Sequence, residues 1–425
     1  MTIQEKIQNN KTYLGIEFGS TRIKAVLIDD TFAPIASGSH DWQNRYENGV
    51  WTYSLDDITT GLQHCYASLV EDVESKYGVV PTGYGAMGIS GMMHGYMAFG
   101  KDDRLLVPFR TWRNTITEQA ASELSELLGF NIPQRWSIAH LYQAVLNGEG
   151  HVKDIAHINT LAGYIHYQLT GKRQVGIGEA SGIFPVDGIG YNAEYIAKVD
   201  EKLAEKGFSG KLLEVLPGVL NAGAREAALT AELSGHPVAK PALYDMLYYH
   251  ALTGDPDCGD TVVYNFLSGE PVAGAENGRP MYFRTPDGKF NLANLFRAEI
   301  YSTMAALKLG MDILFDKEQV SVDKITGHGG LFKTKGVAQQ FLADGLGCAV
   351  SVMKTAGEGG AWGMALLAAF SVCGGGKSLP EFLDSEVFGG MESTTLQPEE
   401  KGAEGFRKFM ENYKRGLVAE YAAAK

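Results

Sequence analysis

"YLGIEFGSTRIKAVLID", residues 13–29, decides how this chain reads. Leu14, Ile16 and Phe18 alternate with Tyr13, Gly15 and Glu17; after a Gly-Ser-Thr turn, Ile23, Ala25 and Leu27 resume the alternation. That pattern is a β-hairpin. Glu17 is its oddity, because a carboxylate inside an apolar strand is costly unless water, a cation or hydrogen-bond donors meet it. The turn offers the N–H groups of Gly19, Ser20 and Thr21 to an anion. Glu17 beside them suits a phosphate accompanied by hydrated Mg²⁺. A solvent-facing Glu next to an ordinary tight turn explains the same residues equally well.

Outward from the hairpin, Ile58, Leu62, Tyr66, Leu69 and Val73 recur at helical spacing, which predicts a helix opening after Ser54 and stopping near Gly78. "YGAMGISGMMHGYMAFG" predicts a strand, a glycine-rich loop over residues 90–95 and a second strand. Helices are expected at about residues 115–128, 137–147, 160–170, 294–313 and 334–346. "VDKITGHGG" and "CAVSVM" read as strands, and "GEGGAWGMALLAAF" as a glycine-led helix. Alternation of strand and helix means an α/β architecture. "SGHPVAKP" breaks both periodicities, so the expected domains are residues 1–232 and 233–425.

Composition narrows the function. The 425 residues are 45% hydrophobic and 20% charged, as in ordinary globular proteins, and are enough for two domains. A formal net charge of −13 argues against nucleic acid or an anionic membrane as the partner. A polyanionic substrate must then be held locally. Four scattered cysteines without a CxxC pair fit reduced thiols. With no signal peptide and no long apolar run, the expected location is the cytoplasm.

Several further segments carry donors suited to a small polar ligand. In "SGMMHGY", Met93 and His94 follow a strand, at the end where ligands of open α/β sheets gather, and His94 is expected to donate to a substrate hydroxyl. "FRTWRNT" combines the apolar plate of Trp112 with donors on Arg113 and Asn114, a mixture fit for a polyol; a core-anchoring Trp is the plainer account. "ITGHGGLF" ends a strand in Gly327, Gly329 and Gly330, where missing side chains let a nucleoside approach the backbone. The glycines of "GEGGAWGMA" more readily serve close helix packing. "TGDPDCGD" lacks the ligand spacing of a calcium loop and reads as a solvated acidic turn.

In this order, "GIEFGST", "GISGMMHG", "TWRN", "YNFLSGE", "GHGG" and "GEGGAWGMA" resemble the FGGY family of carbohydrate kinases, in particular its xylulokinase branch, over about residues 13–370. The resemblance implies a two-domain actin-like ATPase fold of the ribonuclease H-like kind and transfer of the γ-phosphoryl group of ATP to a ketose or polyol hydroxyl. It implies Mg²⁺ at Glu17, where the family usually has Asp, and phosphate contacts at Gly19, Ser20 and Thr21. Sugar contacts fall at Met93, His94, Trp112, Arg113 and Asn114, the last standing where xylulokinases usually have Asp. The adenosine loop falls at Gly327, Gly329 and Gly330. Sugar and ATP are the implied partners, and a homodimer is compatible with them.

One departure is large. The family's Gly-Gly-Asp segment, whose Asp deprotonates the sugar hydroxyl, and the phosphate strand after it are not found in the sequence. A block of strands is therefore expected to be lacking near Gly235, leaving the second domain incomplete. Glu179 in "GIGEASG" is the substitute base that sequence offers, ahead of Asp255, Asp257 and Asp260. Two functional readings follow: a sugar kinase with weak turnover, or a non-catalytic binder of sugar and nucleotide descended from one.

Overall fold

The hairpin forms as its alternation requires: β1 (Tyr13–Phe18) pairs antiparallel with β2 (Arg22–Ile28), with Glu17 opposite Lys24. The structure, a computed structural model, describes residues 1–188, 190–224, 243–389 and 391–423. It divides into one unit of residues 1–238 with 360–389 and another of residues 239–359 with 390–425. The expected boundary at residue 232/233, the "SGHPVAKP" segment and the expected missing block near Gly235 lie outside the described residues.

In the first unit, β3 (Pro34–Asp41) flanks β2, and β4 (Ala86–Gly91) runs parallel to β1, giving the strand order β3-β2-β1-β4. α1 (Leu55–Tyr77) covers one face. It is capped by Ser54, whose hydroxyl accepts from the Asp57 N–H, and stops at Gly78 in the left-handed conformation, as the periodicity requires. Leu14, Ile16 and Phe18 are fully buried in the core that α1 contributes to. Helix and strand backbones touch at Gly38, where an added Cβ would lie 2.3 Å from the Leu69 nitrogen.

The opposite face of β1 carries Gly15 and Glu17, since strand side chains alternate. A helix from late in the chain, Gly359–Cys373, lies on it. A Cβ on Gly15 would come 1.8 Å from the Ala361 carbonyl oxygen, and one on Gly88 2.6 Å from that of Met364. The Trp362 indole donates to the Phe32 carbonyl (2.9 Å) and pins this helix beyond the β2 end. Elsewhere in this unit α2 (Leu161–Thr170) starts beside Gly91, and the single turn α3 (Ile177–Ala180) follows.

The second unit holds an antiparallel pair, β5 (Thr261–Tyr264) with β6 (Met281–Arg284), and a three-stranded sheet of β7 (Lys324–Gly327), β8 (Ala349–Met353) and β9 (Ser393–Leu396). α4 (Leu292–Asp312), α5 (Val337–Leu346) and α6 (Glu400–Ala423) contribute to its core. Buried Asp344 on α5 accepts from the Glu399 N–H (2.7 Å), just ahead of α6. Among the described residues no helix is long and apolar enough to cross a membrane.

Candidate active site

Parallel pairing of β1 and β4 in the register Glu17↔Ser90 and Phe18↔Gly91 brings the β1–β2 turn and the glycine-rich loop after β4 to the same sheet edge. This is the carboxyl-end position where open α/β sheets place ligands. The Met92 N–H donates to the Phe18 carbonyl (3.0 Å) and fastens the two loops together.

Glu17 answers the question its charge raised. It is half-buried, and a Cβ on Gly360 would lie 2.6 Å from its Oε1, so the carboxylate occupies a cradle that exists because Gly360 has no side chain. What meets it is the N-terminal end of the late helix, where backbone dipoles favour an anion. Among the described residues no group of three or more His, Cys, Asp or Glu is arranged to hold a metal. A single cradled carboxylate fits hydrated Mg²⁺, which keeps most of its waters and takes its other oxygens from a nucleotide.

The turn beside Glu17 is held by its carbonyls. Gly19 accepts from the Trp42 indole (2.7 Å), Ser20 from the Tyr53 hydroxyl (2.6 Å) and Thr21 from the Trp42 N–H (3.2 Å). The Gly19 N–H, expected to face an anion, is instead spent on the Arg22 carbonyl (2.9 Å) because it closes the turn. Ser20 and Thr21 keep N–H groups that have no partner among the described residues.

Met93 and His94 are brought together with the α3 turn. A Cβ on Gly182 would lie 2.6 Å from His94 Nδ1 and 3.3 Å from Met93 Cε. His94 adopts φ 70°, uncommon for a residue with a side chain, and its Nδ1 lies 3.3 Å from the Gly182 carbonyl. That contact assigns the proton to Nδ1. Burial lowers its pKa, opposed by the Gly182 bond and reinforced by the charge of Arg135. Neutral His94 therefore presents Nε2 as an acceptor, and the expected donation to a substrate hydroxyl is reversed. Trp136 stacks on its ring with centroids 6.4 Å apart. Sequence reasoning passed over Trp136, whose one signal is an aromatic directly before the apolar helix Ser137–Leu146.

Glu179 sits in that same turn, and its carbonyl accepts from the Gly182 N–H (3.0 Å). Its Oε1 is inaccessible and has no partner among the described residues, as is the case for the nearby Tyr191 hydroxyl. Burial pushes the Glu179 carboxyl up to about 7, against a hydrogen bond from Thr160.

The Trp112 loop divides. Asn114 is 3% exposed: Oδ1 accepts from the Trp51 N–H (2.9 Å), and Nδ2 donates to the carbonyls of Trp51 and Thr111 (2.9 Å each). The amide is spent on backbone and is not available to a sugar, contrary to expectation. Trp112 and Arg113 remain half-buried, with the Arg113 guanidinium over the rings of Trp51 (5.3 Å) and Trp112 (5.5 Å).

In the second unit, β7 ends at Gly327, where a Cβ would meet the Phe332 ring at 2.6 Å. Gly329 has φ 105°, and nothing lies within 4 Å of a Cβ on Gly329 or Gly330, so this turn is open to a ligand approaching the backbone. The Gly329 N–H donates to the Ala356 carbonyl (2.7 Å). The acidic turn is tied to its surroundings and to itself: Asp255 accepts from Asn294 on α4 (3.0 Å), Asp260 from Asn412 on α6 (3.0 Å) and Asp257 from the Gly259 N–H (3.0 Å).

Family models match both parts of the chain: the N-terminal domain of the FGGY family of carbohydrate kinases over residues 12–187 and its C-terminal domain over residues 219–372. The chain belongs to the FGGY family of carbohydrate kinases. Solved FGGY-like structures agree in fold. Gluconate kinase from Lactobacillus acidophilus is 16% identical, with 97% of this chain and 99% of that chain covered and a TM-score of 0.72. Ligand-bound xylulose kinase from the same organism is 15% identical, with 97% and 100% covered and a TM-score of 0.72. Plasmodium falciparum glycerol kinase with ADP is 11% identical, with 96% and 98% covered and a TM-score of 0.65. A comparison with curated proteins finds no match. Family membership makes the two-domain actin-like fold and sugar phosphorylation the setting for the residues above.

Proposed function

We propose that this FGGY kinase transfers the γ-phosphoryl group of ATP to a hydroxyl of a sugar-like acceptor, such as a ketose or polyol, in a cytoplasmic setting. The observation that supports the reading most is the shared sheet edge. There a cradled Glu17 stands beside two turn N–H groups that have no partner among the described residues, with the Met93–His94 loop fastened next to them. Glu17 holds the water shell of Mg²⁺, and Ser20 and Thr21 take phosphate oxygens through their N–H groups. When bound, the ion supplies charge neutralisation for the phosphates. His94 accepts an acceptor hydroxyl at Nε2, and Trp136 and Trp112 pack its C–H faces. Gly327, Gly329 and Gly330 form the adenosine turn.

Phosphoryl transfer asks chiefly for positioning and charge stabilisation, so these groups suffice for turnover in kind. Proton removal is the weak point: the sequence carries no Gly-Gly-Asp segment, and Glu179 is the substitute. Lacking a well-placed base costs roughly 10²- to 10⁴-fold, which sets slow turnover as the expectation. Coupled ADP release with MgATP and a panel of pentuloses, hexuloses and polyols tests this. Slow, sugar-dependent release that disappears in Glu17→Ala supports it. Saturable sugar binding with no release at all would instead mark a non-catalytic binder.

A further inference from the structure

The second unit contains an enclosure of its own. Ala403, Phe406, Met410 and Lys414 fall three or four residues apart on α6, so they share one face of that helix. Lys308 and Asp312, in the last turn of α4, line the other side of a cavity of about 300 Å³, the lower end of the range for small-molecule sites. Its floor is apolar, since Phe406 and Met410 belong to the core. Gly345, near the end of α5, also lines it, and a Cβ there would press on the Phe406 ring at 3.0 Å.

The charges of the lining do not balance. Asp312 accepts from Lys308 through Oδ1 and from Lys414 through Oδ2 (3.1 Å), so both its oxygens are spent. Each ammonium carries three N–H donors and uses one on Asp312; neither has another partner among the described residues. Burial would raise the Asp312 pKa, yet the bonds from Lys308 and Lys414 lower it on balance, so the carboxylate stays ionised beside both cations. Arg407 on the rim is matched by Glu411 (2.5 Å). The lining thus holds three cations and two anions, one positive charge in excess, within a chain whose formal net charge is −13. The Lys308 side chain is 24% exposed, so this excess is held partly out of water.

Position separates the cavity from the adenosine turn. α5 starts shortly after the glycines at 327, 329 and 330, and its eight residue steps from Val337 to Gly345 cover about 12 Å along the axis. The two lie at opposite ends of one helix.

We propose that this cavity is a binding site for a monocarboxylic acid with an apolar body, of the aryl or branched-chain type. The carboxylate bridges the remaining N–H groups of Lys308 and Lys414, and its single negative charge balances the excess. The apolar body lies against Phe406 and Met410, a ring and a thioether suited to such a surface. A dianionic phosphate ester would overshoot the one spare charge, and a neutral sugar would leave it unmatched. The proposal stands independently of the kinase reading.

The test is calorimetry on the full chain with sodium phenylacetate and sodium 4-methylpentanoate, against phenylacetamide and inorganic phosphate. Saturable binding of both acids at one site per chain is expected, with phenylacetamide weaker roughly 10- to 100-fold, as loss of a charged hydrogen bond implies. Lys308→Met keeps the stem but removes one ammonium and should weaken the acids by the same factor. Lys414→Met, at a half-exposed position, repeats that test with least disturbance of the fold. Ala403→Leu fills the cavity and should abolish binding, with melting curves checking all three variants. Saturating MgATP should leave the acid affinities within about twofold. Absence of saturable binding by either acid overturns the proposal, as does equal affinity for acid and amide, displacement by MgATP, or acid binding that none of the variants changes. Phosphate binding as tight as that of the acids overturns the apolar class and leaves a plain anion site.

Discussion

Gly15→Ala adds one methyl group at the point where strand and late helix touch. Its Cβ would lie 1.8 Å from the Ala361 oxygen and 2.4 Å from the Ala365 nitrogen, both backbone atoms that no rotamer change can move. Carbon prefers separations of about 3.5–4.0 Å, so the helix would have to retreat by roughly 1.5 Å. It would take with it buried Ala361, Trp362, Ala365, Leu366, Ala368 and Ala369. Overpacking typically costs about 1–3 kcal/mol, and a backbone-to-backbone clash belongs at the upper end or beyond. Urea unfolding followed by tryptophan fluorescence should show a midpoint lower by about 1 M, for slopes near 3 kcal/mol/M. Gly363→Ala makes the same chemical change in the same helix at a position with nothing within 4 Å. There, removing an interior helix glycine should stabilise by about 0.5–1 kcal/mol. If Gly15→Ala leaves the midpoint unchanged, or both variants shift in the same direction, the late helix does not lie on β1 and the Glu17 cradle goes with it.

Three further outcomes are expected. Asn114→Asp sets a carboxylate against two carbonyls that Nδ2 now satisfies, and should destabilise by about 2–3 kcal/mol in the same urea assay, the cost of unmade buried bonds. His140, whose buried ring nitrogens have no partner among the described residues, is held at about 3 by burial and then by the charge of Arg110. As pH falls below its ordinary 6.5 the unfolded chain binds a proton that the folded chain refuses, so stability drops by about 1.4 kcal/mol per unit. His140→Phe, which keeps the stacking on Tyr96, should flatten that slope between pH 4 and 6. For Glu179, raised from 4.5 to about 7, the folded chain keeps a proton the unfolded chain loses, so stability declines as pH rises through that window. Glu179→Gln should therefore be more stable than the native chain at pH 8, by about 3 kcal/mol, and nearly equal to it below pH 4.5; a gain of the same size at both pH values would contradict the buried carboxyl.

Local pattern carried the hairpin, the span of α1 and its two caps, because period and capping chemistry are written in adjacent residues. It also placed Met93 and His94 on a loop, which meets Gly182 beside the helical turn that carries Glu179. Partnership at long range was not legible. The spacing of "GEGGAWGMALLAAF" predicts a helix, but nothing local says that its backbone meets Gly15 and Gly88. Nor does "TWRN" reveal that Asn114 is spent on Trp51 while Arg113 pairs with no acid among the described residues; that depends on which strand residue 51 reaches. The His94 tautomer hinges on one carbonyl 88 residues away in sequence, and the role of Trp136 on a ring it never neighbours in the chain.

The late helix also sets a clock. Gly15 and Ala361, which end in contact, are separated by about 350 residues, and at ~5–20 residues per second a ribosome needs roughly twenty to seventy seconds to make the second after the first. Throughout that interval one face of the first sheet has no cover, and its glycine-lined groove must stay free of other chains until the helix emerges. The contact at Gly15, and with it the Glu17 cradle at Gly360, is therefore completed only after residues 360–365 have been made.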